Sequence, residues 1–169
     1  PQLNLDLENP NNQLDSNMGT LAQSLTELNI WSHGSDKLSF DSSKLPPNLT
    51  SLNTNAILDD QTYHTIPKSL KTFCLLSKPP NLPSLFAFLP TGLESLSIDT
   101  DEDSTRSQLF THLQNLESIY LQTERPIKSD DLITSKCPPK LQKFSCTNLG
   151  LRELPLPNRL FNNCLTTLA

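Results

Sequence analysis

One short pattern recurs along the chain and constrains its fold more than any other feature. A Leu, two variable residues and a second apolar residue return seven times, at intervals of 24, 21, 23, 23, 25 and 24 residues. When each unit is numbered from its opening Leu, position 1 holds Leu25, Leu49, Leu70, Leu93, Leu116, Leu141 and Leu165. A unit this short cannot bury its own leucines. We therefore expect successive units to stack and to share one continuous core.

The residues that follow each opening Leu alternate between apolar and polar. Position 4 holds Leu28, Leu52, Phe73, Leu96, Ile119, Phe144 and Leu168, and position 6 holds Ile30, Thr54, Leu75, Ile98, Leu121 and Cys146. Apolar residues two apart predict a short β-strand with one face turned inward. "LNLDL", from Leu3 to Leu7, fits a further strand with Leu3 and Leu5 at positions 4 and 6. Stacked units of this kind predict a parallel sheet of seven or eight strands.

Proline marks the approach to these strands. It stands three residues before position 1 in four of the seven units, as Pro46, Pro67, Pro90 and Pro138. Proline fixes φ, lacks an N–H and disfavours helical backbone at the residue before it. The pattern predicts that any helix on the far side of a unit ends before the strand begins.

The L-x-x-L-x-L core and its period of 21–25 residues resemble the leucine-rich repeat family. The L-P-x-x-L-x-x-L phrasing is similar to the proline-marked repeats of some bacterial effectors and amoebal proteins. The resemblance implies an α/β-type repeat solenoid, mostly β: a right-handed horseshoe with its parallel sheet on the concave side and short 3₁₀ or helical segments on the convex side. It covers residues 1–169 as a single domain of about seven repeats, with both ends falling inside a repeat.

The chain departs from that family at one position. The family places Asn at position 9, where its side chain bonds backbone groups inside the turn. Here position 9 holds His33, Ile57, Lys78, Asp101, Glu124 and Leu149. We therefore expect other groups to satisfy these turns.

The segments between strands vary in sequence. Residues 105–113 are compatible with a helix, and residues 129–136 with a helical turn that has Ser129 as its N-cap. Residues 78–90, "KPPNLPSLFAFLP", are rich in proline, and we expect that segment to be irregular or extended.

Patterns for catalysis, metal binding or a cofactor are missing, so we expect no enzyme activity, no metal and no cofactor. The three histidines, His33, His64 and His112, fall at positions 9, 16 and 20 of different units, and no nucleophile shares a register with a base. The acidic run from Asp99 to Ser104 lacks the spaced Gly and the terminal Glu of a calcium loop. We interpret it as a solvated loop, with a weak site for a cation or a basic peptide as the alternative.

Cysteine usage and charge limit the environment and the partners. Cys74, Cys137, Cys146 and Cys164 form no CxxC pair and have no His at zinc spacing, so we expect four free thiols and a location that is cytoplasmic or otherwise intracellular. A glycosylation sequon at Asn48 leaves secretion open. The net charge of -5 argues against nucleic acid, and the absence of a long apolar run argues against a membrane span.

The remaining candidate for function is the surface that the sheet creates. In the leucine-rich repeat family, positions 2, 3, 5, 7 and 8 face outward on the concave side, and this chain fills them largely with small polar residues. The predicted partner-binding residues are Asn29, Trp31, Asn53, Asn55, Leu76, Asp99, Tyr120 and Gln122. Trp31, Leu76 and Tyr120 are the apolar anchors in this set. The alternatives are that Trp31 folds over the sheet edge and that Tyr120 makes only cross-strand contacts.

These observations favour a module that binds another protein on its concave face. The acidic residues Glu27, Glu94, Asp99 and Glu117 favour a basic or polar partner surface. The alternative is a structural or regulatory solenoid within a larger assembly, such as the substrate-reading part of a ubiquitin-ligase receptor. Partner identity and oligomeric state remain open.

Overall fold

The computed structural model describes residues 1–7, 23–33, 39–100, 112–122, 138–146 and 167–168. The strands are β1 (Gln2–Leu7), β2 (Glu27–Ser32), β3 (Ser39–Phe40), β4 (Ser51–Thr54), β5 (Ile57–Leu58), β6 (Thr72–Leu75), β7 (Ser95–Asp99), β8 (Ser118–Gln122), β9 (Lys143–Cys146) and β10 (Thr167–Leu168). Two 3₁₀ helices (Ser42–Lys44 and Asp60–Thr65) and one α-helix, α1 (Leu82–Phe88), lie between them. The described part of the chain is therefore mostly β with few helices.

Eight of the strands form one sheet in chain order, β1-β2-β4-β6-β7-β8-β9-β10. Every neighbouring pair in this sheet is parallel, which confirms the predicted parallel sheet. The predicted first strand is also confirmed, because Leu3 pairs with Leu28 and Leu5 with Ile30. The remaining two strands, β3 and β5, form a small parallel sheet of their own, which the sequence pattern did not predict.

Equivalent positions of successive units pair without a slip in register. Leu52 of β4, for example, pairs with Phe73 of β6, and Phe73 pairs with Leu96 of β7. The side chains at position 4 from Leu28 to Phe144 are at most 1% exposed. The opening leucines from Leu25 to Leu141 are all buried as well, whereas Leu165 lies outside the described residues. Both sets belong to one core cluster, so the units share a hydrophobic interior.

The prolines act as predicted where the structure describes them. In both 3₁₀ helices and in α1 the C-cap is the residue before a proline (Leu45, Ile66 and Leu89), and each of these residues has extended ψ (139°, 128° and 139°). The proline carbonyl then accepts a hydrogen bond from the N–H of the opening Leu, as Pro46 does from Leu49 at 3.1 Å. This turn delivers each opening Leu to the core.

The carbonyl at position 2 links each unit to the next. The Thr26 carbonyl accepts from the N–H groups of Thr50 and Ser51, at 2.8 and 3.0 Å, and the Thr50 carbonyl does the same for the following unit. Lys71, Glu94 and Glu117 repeat this double acceptance. Because the same two bonds recur at the start of each strand, the register is fixed there before the sheet ladder begins.

The prediction for residues 78–90 is wrong, because Leu82–Phe88 is an α-helix. The Asn81 side chain caps it by accepting from the Ser84 N–H at 3.1 Å. Pro83 lies in the first turn, where its missing N–H has no helical partner to lose. Leu82, Leu85 and Phe86 bury one face of the helix. The helix predicted at 105–113 and the turn at 129–136 lie outside the described residues, apart from residues 112 and 113.

Position 8 also differs from the expectation. Ala56, Ser77 and Thr100 are 0%, 4% and 2% exposed, so this position faces inward rather than outward. The strand has ended or is ending here, and the alternation of faces stops with it. The Ser77 hydroxyl donates to the Ala56 carbonyl at 2.7 Å, which joins the two units. Only small side chains fit where the chain turns into the core.

Candidate interaction surface

The outer face of the eight-stranded sheet carries positions 3, 5 and 7, and is the surface for which binding was predicted. Its central row is position 5, where strand pairing sets seven side chains in register. The row runs Asn4, Asn29, Asn53, Cys74, Ser97, Tyr120 and Ser145. Neighbouring members are about 4.8 Å apart, the distance between strands. Most of them are half-buried, and the residues at positions 4 and 6 on either side are buried from β2 to β8.

The first part of this row is an asparagine ladder. The Asn29 amide donates to the Asn4 side-chain oxygen at 2.6 Å, and the Asn53 amide donates to the Asn29 oxygen at 2.5 Å. Each of these asparagine side chains is therefore hydrogen-bonded to its neighbour along the sheet. The sequence placed Asn29 and Asn53 on this face, and the structure shows that they bond to each other.

Asn55 serves the backbone of the neighbouring unit. Its side-chain oxygen accepts from the Ser32 N–H at 2.9 Å, and its amide donates to the Ser32 carbonyl at 2.8 Å. This two-point contact satisfies a turn between β2 and the next unit. Asn55 at position 7 thus supplies a turn contact where position 9 has no asparagine. Its role in binding a partner stays a prediction, and its side chain is already engaged.

The later part of the outer face is different in character. Cys74 lies between Asn53 and Ser97 in the row and is a free thiol. Burial raises the pKa of the Cys74 thiol, and a hydrogen bond with the Ser97 side chain opposes that rise. The prediction of free thiols holds for Cys74. For the other three cysteines it stays a prediction, and Cys137 and Cys164 lie outside the described residues.

The apolar anchors predicted from sequence are all on this sheet. Leu76, just beyond β6, is 37% exposed. Tyr120 on β8 is half-buried and pairs with Ser97 and Ser145, so small neighbours flank its ring. Trp31 on β2 is half-buried and pairs with Asp6 of β1.

Charges line the margins of the outer face. Lys71 Nζ lies 2.8 Å from Glu94 Oε1, and both side chains are about half exposed. His33 Nε2 lies 2.8 Å from Asp6 Oδ1, with both side chains well exposed. Asp99 of β7 pairs in register with Gln122 of β8. Exposed pairs of this kind contribute little stability.

Clusters of side chains that could hold a metal ion were looked for in the part of the chain that the structure describes. Those residues contain no group of three or more His, Cys, Asp or Glu side chains able to hold a metal ion. The acidic run after Asp99 lies mostly outside the described residues. In that same part of the chain, the helices are too short or too polar to cross a bilayer.

Sequence reasoning missed a second set of contacts between units, at the proline turns. The side chain just before an opening Leu donates to a turn carbonyl of the previous unit. Asn48 donates to Gln23 at 3.2 Å, Ser69 to Pro47 at 2.8 Å, and Asn115 to Thr91 at 2.9 Å. The signal that could have revealed it is the recurrence of Asn or Ser immediately before the opening Leu.

Comparison with known proteins gave no match to a protein-family model, a curated protein or a solved structure. The function must therefore be argued from the sheet and its outer face.

Proposed function

We propose that this chain is a leucine-rich repeat domain that binds another protein on the outer face of its sheet, which is the concave face in that architecture. The observation that carries the proposal is the in-register row of half-buried polar side chains bordered by the exposed Leu76. The unbroken register and the proline turns support assignment to a right-handed solenoid. A folded sheet that keeps large apolar groups partly exposed beside small polar ones resembles the composition of an interface.

The dimensions of this face suit a protein partner. Seven strands about 4.8 Å apart span roughly 30 Å, which is wide enough for an interface of about 800 Å² on each side. Binding energy at such interfaces concentrates in a few aromatic or apolar residues. We assign that role to Leu76 and Tyr120, with Trp31 as a third anchor nearer β1.

Charge on the same face indicates the kind of partner. Glu27, Glu94, Glu117 and Asp99 are spread over β2, β7 and β8 or the residues just before them. Only Lys71 and Lys143 among the nearby residues of positions 2 and 3 are basic. We therefore propose a partner surface that is basic or polar, and an affinity that weakens as salt is added.

The test compares affinity with stability. The partner is first recovered on the immobilised chain and identified, and its affinity is then measured for wild type, Leu76→Ala and Tyr120→Ala. Either substitution should weaken binding by about tenfold or more while the melting temperature changes little. Gln61→Ala, an exposed substitution in a 3₁₀ helix, is the matched control and should change neither. Unchanged affinity in both outer-face variants would reject the proposal.

A further inference from the structure

A recess lies away from the outer face, among the residues that lead into β4 and β6. It is an open groove of about 760 Å³ between two consecutive proline turns. Its floor contains Leu45, Pro46, Ile66 and Pro67, all of them buried. The groove therefore has an apolar base, and its position before the strands separates it from positions 5 and 7.

The rim of this groove carries two lysines and a histidine. Lys44, His64 and Lys68 line it, and none of the described Asp or Glu residues does. This contrasts with a chain whose net charge is -5. The nearest acid in sequence is Asp41, whose carboxylate accepts from the N–H and the hydroxyl of Ser43 at 2.7 and 2.6 Å. Asp41 also attracts Lys44, but its own oxygens are turned toward the Ser43 turn.

An exposed aromatic side chain contacts two of the residues that line the groove. Phe88, the last residue of α1, is 38% exposed. Its ring meets the His64 ring edge-on, with centroids 6.3 Å apart. Its carbonyl accepts from Lys68 Nζ at 3.1 Å. That contact holds the Lys68 ammonium beside Phe88 and leaves two of its three donors for a ligand.

We propose that this groove is a docking site for an acidic peptide segment of a partner protein, with carboxylates at Lys44 and Lys68 and an apolar side chain against Phe88. Charge complementarity favours carboxylates, because the cations are collected on one rim without a described acidic residue among them. The proline floor and Phe88 favour a peptide over a small anion, since a free anion has no apolar part to bury. The site is distinct from the outer face, so one chain would hold two partners or two parts of one partner.

Fluorescence anisotropy with two synthetic peptides tests this site. The probe is a fluorescein-labelled peptide with a run of Glu beside one Leu, and the control peptide carries Gln in place of each Glu. Wild type should bind the Glu peptide, more weakly as salt rises, and should bind the Gln peptide much less. The Lys44→Gln/Lys68→Gln double variant should lose about tenfold in affinity. Phe88→Ala should weaken binding of the Glu peptide only while the peptide retains its Leu.

Matched variants separate binding in this groove from a general effect of charge and from binding on the outer face. Lys71→Gln/Lys143→Gln removes the same number of positive charges, two, from the outer-face side and should change affinity by less than about twofold. Leu76→Ala should leave binding of the Glu peptide unchanged, even though it weakens binding of the outer-face partner. No binding of the Glu peptide, or equal losses in Lys71→Gln/Lys143→Gln and Lys44→Gln/Lys68→Gln, would overturn the proposal. Binding of phosphatidylserine vesicles in place of the Glu peptide would overturn it in favour of a membrane surface. Melting temperatures confirm that each variant is folded.

Discussion

The two faces of each strand share one backbone and have opposite roles. On β7, Leu96 and Ile98 are at most 1% exposed, whereas Ser97 between them is half-buried on the outer face. β6 repeats the arrangement with Phe73, Cys74 and Leu75. Burial of the inner apolar residues lowers the free energy of the folded state. The outer residues bury less apolar surface and stabilise the fold less. Most of the stability is therefore set on the inner face, and the outer face is less constrained in sequence.

The outer face itself contains two regions, which differ in how much their side chains contribute to the fold. On β1, β2 and β4 the asparagines bond to one another, so that part of the row contributes to the fold. On β6 to β8 the row changes to Cys74, Ser97 and Tyr120, with Leu76 exposed nearby. We expect the asparagine region to respond to mutation through stability and the later region through binding.

The largest effect should come from adjacent residues on opposite faces of β7. Leu96→Ala removes a side chain that is 1% exposed and should lower the free energy of unfolding by about 2–5 kcal/mol. Ser97→Ala, one residue later, should change it by less than about 0.5 kcal/mol. Urea unfolding of both variants measures the difference. Similar losses in the two variants would mean that the assignment of faces is wrong.

A polar atom inside the core sharpens this contrast. Tyr63 is 0% exposed. Its hydroxyl lies near the Asn81 backbone, yet it makes no hydrogen bond of normal geometry within the described residues. Burial, assisted by Asp60, raises the pKa of Tyr63 to about 12. The folded state thus holds this proton more tightly than the unfolded chain, where tyrosine ionises near pH 10.

The protonated Tyr63 hydroxyl therefore contributes fully to stability below about pH 10. As the pH rises toward about 12 this contribution is lost, and the free energy of unfolding falls by about 2 kcal/mol. Tyr63→Phe should abolish this alkaline loss. At neutral pH the variant should lie within about 1 kcal/mol of wild type, because no well-formed hydrogen bond is removed. Urea unfolding at neutral and alkaline pH measures both quantities. An alkaline loss of the same size in Tyr63→Phe would show that other groups cause it.

The asparagine ladder predicts a smaller effect. Asn29→Ala removes its bonds to Asn4 and Asn53 together and should cost about 1 kcal/mol, since water can reach part of the site. Affinity for an outer-face partner should change less than it does in Tyr120→Ala. Urea unfolding and a binding titration on the same preparations measure the two responses. A variant that binds poorly but unfolds like wild type would place the asparagines among the binding residues.

The sequence was sufficient to predict the sheet because the hydrophobic period and the repeat spacing depend only on the order of residues along the chain. Strand pairing follows them from Leu3 to Phe144. Helix α1 was missed because the prolines of this segment were interpreted as incompatible with a helix. Pro83 lies in the first turn, where proline is tolerated. The inward turn of Ser77 was missed because alternation ends with the strand.

The partners of polar side chains were the least predictable feature. Asn55 bonds the backbone of Ser32, 23 residues earlier, and nothing local to Asn55 distinguishes that role from binding a partner. Residues proposed for a surface can therefore be placed on the correct face and still be occupied. Only the three-dimensional arrangement separates Asn55 from Leu76.

The smallest expected effect concerns Cys74, which reports on the outer face without unfolding it. Because burial raises the pKa of its thiol, the thiolate fraction near neutral pH is low, and alkylation by iodoacetamide should be several-fold slower in the folded than in the unfolded chain. The Ser97 hydrogen bond opposes that rise, so Ser97→Ala should slow the reaction further while stability hardly changes. A bound outer-face partner should slow it as well, by covering the thiol. Peptide mass spectrometry at a series of pH values resolves Cys74 from the other cysteines. Faster alkylation in Ser97→Ala would show that access, rather than the proton, controls this thiol.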